Sequence, residues 1–369
     1  VDPVDRRAAG RDAFLDCGRA GTSSIAGSHG LQYTSKMQPV AKRLDFPVPA
    51  RRSDRTAGGP AFMPRRAAGG VEPRSRRSGP IAGGGPRPAR HGSSAETASI
   101  TFAINHMTMA RSSFATLLRA ADEASCAAVE VRTDLDGPLF DGMNVASAGV
   151  LARERGVRIL ALAEISAFND LTADRLDATE RLARTAAGCG AEAIVLVPRN
   201  DGRATSSASR ARDLRFALAE IRPVLEAHGV KGLVEPLGFD TSSLRFKADA
   251  VEAIDSLAAE GTFRLIHDTF HHHLAAEDTC FASHTGIVHV SGVVSTRPAA
   301  RLVDADRGLV DDDDRLGSVG QLDALVQGGY TGPVSIEAFA PSVHALSDPG
   351  AAVRGSFDHI AAALAALAA

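Results

Sequence analysis

Lysine is scarce in this chain: 369 residues hold four, and only Lys231 and Lys247 lie beyond residue 98. Lys231 opens a short apolar run, the wrong end of a strand for chemistry, which argues against a Schiff-base aldolase. Four cysteines, Cys17, Cys126, Cys189 and Cys280, are far apart and form no CxxC pair. That pattern fits a reduced, cytosolic protein. No apolar stretch approaches the roughly 18 residues that a membrane span needs. The N-terminus has no continuous apolar core of a secretory signal. No GxGxxG follows the first apolar run, which weakens a dinucleotide-binding fold. No GxSxG occurs, and no cysteine sits in a recognisable nucleophile motif.

What is present divides at about residue 98. Hydrophobic residues make up 44% of the chain, enough for a real core, and the formal net charge is -3. The charge is uneven. Residues 1–98 carry 17 Lys and Arg against 8 Asp and Glu, and the remainder carries 24 against 36. The first 98 residues are rich in Arg, Gly, Pro, Ala and Ser and keep no period of 3.6 or 2. Such a segment cannot bury enough apolar area to offset its chain entropy, so it reads as a disordered extension. It begins with Val1, which fits an alternative start codon or a start assigned too far upstream. A nucleic-acid role for this basic segment is disfavoured by its few aromatics and by an Arg bias that the whole chain shares.

From Ser99 to the C-terminus, apolar runs alternate with helical patterns. The runs are 100–105, 128–132, 157–163, 193–198, 232–235, 263–268, 286–290 and 333–338. Between them lie helical repeats such as 114–124, 171–187 and 210–228, with Gly190 and Gly229 placed to end two of them. Strand and helix alternating eight times over residues 99–369 predict a (β/α)8 TIM barrel. A doubly wound open sheet is the alternative.

Four of the runs carry a metal-type ligand at or near their C-terminal ends: Gly-Leu-Val-Glu235, Leu-Ile-His-Asp268, Ile-Val-His289 and Val-Ser-Ile-Glu337. A buried carboxylate is costly unless it is paired or metal-bound. In a barrel of this type the C-terminal strand ends carry the active site. Glu235, Asp268, His289 and Glu337 are therefore expected to hold a divalent metal ion. Mn²⁺, Zn²⁺, Co²⁺ and Mg²⁺ all suit the set. Three carboxylates round one cation favour a neutral hydroxy-ketone over a phosphate. His271 lies one helical turn past Asp268 and is placed to bond a substrate hydroxyl or to orient a ligand. His272 and His273 read as a solvated loop. Asn105 and His106 after the first run, and Glu130 and Arg132 in the second, are candidate polar groups of the pocket, with Glu164 a weaker one.

At these residues the chain resembles the xylose isomerase-like TIM barrels, the sugar isomerase and epimerase superfamily, and within it the inosose isomerases. The resemblance runs from about Ile100 to the end. It rests on His-Asp268-Thr-Phe-His271-His-His, on Asp311–Asp314 closed by Arg315-Leu316, on Val-Ser-Ile-Glu337-Ala-Phe-Ala-Pro and on Glu130-Val-Arg132. It implies metal ligands at Glu235, Asp268, His289 and Glu337, and a substrate contact at His271. It also implies an Asp-Arg pair after the seventh strand, either Asp314-Arg315 or Asp306-Arg307. The activity implied is a metal-dependent isomerisation of inosose or a related polyol ketone through a cis-enediol, with Glu235 or Glu337 as the base. A small polyol or ketose would be the partner, and a homo-oligomer stays open. The rival readings are an epimerase of the same superfamily, an endonuclease IV-like nuclease and a non-catalytic polyol-binding barrel. The chain departs from the resemblance in reading Val-Ser-Gly-Val after His289 and Leu-Gly-Ser-Val-Gly after Arg315, which bears on the substrate more than on the metal.

Overall fold

A computed structural model describes residues 100–369. The expectation for residues 1–98 lies outside the described residues. Eight parallel strands close into a barrel in sequence order. They are β1 (Thr101–Asn105), β2 (Ala128–Arg132), β3 (Arg158–Ser166), β4 (Ala193–Val197), β5 (Lys231–Val234), β6 (Phe263–Asp268), β7 (Thr285–Val290) and β8 (Pro333–Ile336). The longer helices are α1 (Phe114–Glu123), α2 (Val145–Glu154), α3 (Ala173–Cys189), α4 (Ser207–His228), α5 (Lys247–Ser256), α6 (Thr269–Ala275), α7 (Ser318–Gln327), the short α8 (Pro341–His344) and α9 (Pro349–Leu367). The barrel expected from the alternation is thus the observed fold, and the open sheet is not. β3 runs to Ser166, beyond the expected end at residue 163, and takes in Glu164.

Two separate layers of apolar side chains explain why these runs form this barrel. Strand side chains alternate between faces. One set fills the interior with small and branched residues, among them Ala103, Ala128, Leu233, Ile266 and Ile287. The other set faces the helices, including Ile104, Val129, Val234, Leu265, Val288 and Ile336. Two residues beyond each of those interior positions come Asn105, Glu130, Glu235, Asp268 and His289. The strand period therefore aims all five into the barrel axis at its C-terminal mouth. Ser335 and Glu337 repeat the same step on β8.

Helix ends follow local chemistry. Ser113, Asn144, Thr172 and Ser206 each accept a backbone N–H at a helix start. Gly190 and Gly229 close α3 and α4 with φ of 76° and 66°. The segment after β7 doubles back through a two-residue antiparallel bridge between Gly292 and Gly308, with N–H···O contacts of 2.9 and 2.7 Å. A Cβ at Gly292 would stand 2.2 Å from the Leu309 carbonyl oxygen, so only glycine permits this approach. The bridge delivers Arg307 to the barrel mouth.

Candidate active site

Glu235, Asp268, His289 and Glu337 meet at the mouth. Each offers one ligand atom, and the four atoms lie within 4.8 Å of one another. All four residues are at most 4% exposed. His289 is the hub. Its Nδ1 is 3.2 Å from Glu337 Oε2, 3.4 Å from Glu235 Oε1 and 3.8 Å from Asp268 Oδ2. It makes no well-directed hydrogen bond with any of them. On the far side of the ring, Nε2 faces the buried Glu130 carboxylate at 3.1 Å. Carboxylate, imidazole and ligand-binding nitrogen in line are how a metal-bound histidine is held in one tautomer.

The two glutamates have different surroundings. Glu337 Oε1 accepts from Asn105 Nδ2 at 3.1 Å and from an Arg132 N–H at 3.2 Å, and Oε2 accepts from Arg307 at 2.8 Å. Burial opposes its ionisation, yet His289, Arg307 and Arg132 hold it well below the usual carboxylate range. Among the described residues, Glu235 has only the His289 ring within ion-pair distance. Burial pushes it up to about 7, with His289 opposing and Glu337 adding to the rise. Asp268 is penalised by burial but drawn down by the Arg307 guanidinium. One of its oxygens caps α6 through the His271 N–H at 3.0 Å, and the other accepts from Arg307 at 2.5 Å.

Burial also acts on the histidines. It lowers His271, which stays neutral, packed edge-on against Phe239 and Phe270 with ring centroids 5.2 and 5.3 Å away. For His289, burial is overcome by Glu130 and Glu337, and the pKa stands well above the ordinary imidazole value.

The other residues named from sequence divide. Asn105 and Arg132 reach the cluster through Glu337. Arg132 is also tied to Asp134 at 2.6 Å and Glu164 at 3.2 Å. His106 is buried nearby but pairs with the Ser112 carbonyl at 3.0 Å rather than with the cluster. Of the two Asp-Arg pairs, Asp306-Arg307 is the one whose arginine reaches the cluster, while Asp306 itself pairs with Arg297. Arg307 is 1% exposed, while Arg315 is exposed and stands away from the cluster. Asp314 beside it is occupied by the backbone N–H groups of Val293, Leu316 and Ser318. His272 and His273 lie on α6 and not in a loop. His272 accepts from Lys247, whose buried ammonium also pairs with Glu277 at 2.7 Å. Glu130, expected only as a polar group of the pocket, shares the inward face of β2 with Ala128 and Arg132 and meets the His289 ring.

Comparison with known proteins agrees with this architecture. Residues 118–363 match the family model described as xylose isomerase-like TIM barrel. A xylose isomerase domain-containing protein from Salmonella typhimurium LT2 is 30% identical, with 71% of this chain and 96% of that one covered and a TM-score of 0.65. The IolI protein, solved with a bound zinc atom, is 18% identical over 72% of this chain and 98% of its own, with a TM-score of 0.64. D-psicose 3-epimerase from Clostridium cellulolyticum H10, solved with D-tagatose, is 14% identical over 72% and 99%, with a TM-score of 0.57. At these lower identities the likeness is one of fold. No curated protein matches the sequence. The family match spans most of the barrel, and so does the Salmonella relative: the chain belongs to the xylose isomerase-like TIM barrel family.

Proposed function

We infer that the chain is a divalent-metal-dependent isomerase of a neutral polyol ketone, of the inosose type, working through a cis-enediol. The observation that carries this reading is the unequal pair of glutamates that share His289 Nδ1. Glu337 is fully engaged by Asn105, Arg132 and Arg307 and serves as a fixed anion. Glu235 is bound to no arginine and is the group free to take a proton.

Glu235, Asp268, His289 and Glu337 suit a cation because the buried His289 Nδ1 has no directed partner and faces three carboxylates. When bound, the cation would polarise the ketone and stabilise the charge that develops as the neighbouring carbon loses its proton. Glu235 takes that proton from the hydroxyl-bearing carbon and returns it to the former carbonyl carbon, while the hydroxyl proton passes between the two oxygens. The neutral His271 bonds a substrate hydroxyl. Arg132 and Asn105 keep Glu337 in place. Four buried carboxylates, with Glu130 included, face two buried guanidiniums. A divalent cation brings this set to neutrality, which suits an uncharged substrate and disfavours a phosphodiester. The zinc carried by the IolI protein supports a cation here, and the D-psicose 3-epimerase neighbour, solved with D-tagatose, supports a sugar substrate.

The test is NMR of metal-loaded protein with 2-keto-myo-inositol in D₂O, with and without chelator. Deuterium entering at carbon in a chelator-sensitive way is the expected result. No exchange on any inosose or ketose, with metal confirmed bound, would sink the reading. Exchange that inverts a centre without moving the ketone would identify the epimerase alternative.

A second expectation concerns protons. Since His289 stands well above the ordinary imidazole value and Glu235 stands at about 7, metal uptake at neutral pH should release more than one proton. Calorimetry in buffers of different ionisation enthalpy reads this directly. Metal affinity should weaken as pH falls. In chelator the sign reverses for the fold itself. A raised folded-state pKa stabilises fully below about 6.5, the unfolded imidazole value, and that contribution is lost as pH rises through the raised value.

A further inference from the structure

On the outer face of the strands, the residue preceding each site residue repeats one chemistry. Ile104, Val129, Val234, Val288 and Ile336 are all apolar and buried under the helices. On β6 the equivalent residue is His267, with no solvent exposure at all. Its tautomer is fixed by its neighbour. The Gln321 amide nitrogen donates to the Thr269 and Leu316 carbonyls at 3.1 and 3.0 Å, which leaves its oxygen facing His267 Nε2 at 3.1 Å. The imidazole proton is therefore on Nε2. Nδ1 carries a bare lone pair, is buried, and has no hydrogen-bond partner.

His272 of α6 lies against this ring, with centroids 4.7 Å apart. Its Nδ1 accepts from the Lys247 ammonium at 2.6 Å, so that nitrogen is unprotonated too. Cys280 completes the group, and one ligand atom from each of the three lies within 4.8 Å of the others. Cys280 and His272 are only partly buried, so solvent and ions can reach them.

We propose that His267, His272 and Cys280 form a second metal site, for a zinc-type divalent cation, behind the barrel mouth. Two imidazoles and a thiolate are the donor set of borderline and soft cations, whereas the mouth cluster offers mostly oxygen. On binding, the Cys280 thiol gives its proton to solvent and the thiolate becomes a ligand. His272 exchanges Lys247 for the cation, and Lys247 keeps Glu277, its 2.7 Å partner. The thiolate and Glu277 then stand as two negative charges against the cation and the ammonium. A fourth position is left for solvent. The site ties α6 to β6 immediately behind Asp268 and His271, so it would brace both.

Cobalt(II) added to the full chain distinguishes the two sites, since only a cysteine ligand gives thiolate-to-cobalt charge-transfer absorption in the near ultraviolet. A Cys17→Ser background removes the cysteine outside the described residues. Cys126 and Cys189 are buried with their thiols bonded to backbone carbonyls. The expected result is a band that saturates at one cobalt per chain, survives Glu235→Gln, and is lost in both Cys280→Ser and His267→Leu. Leucine restores the apolar pattern of the other strands, so that variant should fold. The proposal is overturned if no such band forms, if the band survives Cys280→Ser, or if it survives unchanged in His267→Leu.

Discussion

Glu337→Gln is expected to lower turnover by about 10²–10⁴-fold, the range lost with a group that takes part in proton transfer or its support, while the barrel stays folded. The isosteric amide keeps the volume and can still accept from Asn105. It loses the charge that Arg132 and Arg307 face. Neither arginine is stranded: Arg132 retains Asp134 and Glu164, and Arg307 retains Asp268 and Asp304. The cluster proposed to hold the metal, by contrast, loses one of its three carboxylates. Metal content by mass spectrometry should therefore fall along with turnover. Glu235→Gln is the informative companion. Because Glu235 is the less engaged carboxylate, its amide should abolish deuterium exchange while weakening metal uptake less than Glu337→Gln does. Wild-type exchange in Glu337→Gln would remove this cluster from the chemistry. Equal metal loss with normal exchange in Glu235→Gln would instead reverse the roles given to the two glutamates.

Why these four residues could be found from sequence is a matter of contrast. Each interrupts or ends an apolar run, and a charge in such a place is energetically conspicuous. The period of 2 then does the rest: Leu233 and Glu235, Ile266 and Asp268, Ile287 and His289, and Ser335 and Glu337 share faces. The barrel was legible for a related reason, since apolar strand runs and helical patterns alternate through residues 99–369, even though the connection from β7 to α7 is long. Glu130 obeys the same rule two residues past Ala128, and with Arg132 on the same face it was expected as a polar group of the pocket. Its contact with His289 joins residues 159 positions apart, and one sequence holds no signal for that pairing.

Sequence alone does not separate Arg307 from Arg315, because both follow an aspartate. What decides is backbone geometry: the Gly292–Gly308 bridge turns residue 307 inward, while Asp314 is consumed in capping the turn into α7. His272 departs from the solvated loop expected of three adjacent histidines. On a helix, adjacent residues face directions about 100° apart, so His271 turns to the mouth and His272 to the outer layer. Lys247 is remote in sequence from both and gave no sign that it would meet them.

Arg307→Met should destabilise the metal-free protein by about 3–5 kcal/mol, the usual cost of removing one partner from a buried ion pair. The guanidinium is 1% exposed and contacts Asp268 and Glu337 together, at 2.5 and 2.8 Å. It also lies over the Phe339 ring, 4.5 Å from its centroid, so methionine keeps much of the packing but none of the charge. Two buried carboxylates would then share His289 and Arg132 as their remaining cations. Their protonation would rise, and the fold would weaken most at high pH, where both must stay ionised. A divalent cation held by the same two carboxylates supplies charge at the same place. Saturating Zn²⁺ or Mn²⁺ should therefore recover a large part of the lost stability, and the variant should gain more from metal than the wild type does. Urea unfolding in chelator and in excess metal measures this directly. A wild-type midpoint in chelator would show that Arg307 does not compensate the pair. A deficit that metal leaves untouched would show that the arginine and the cation act on different groups.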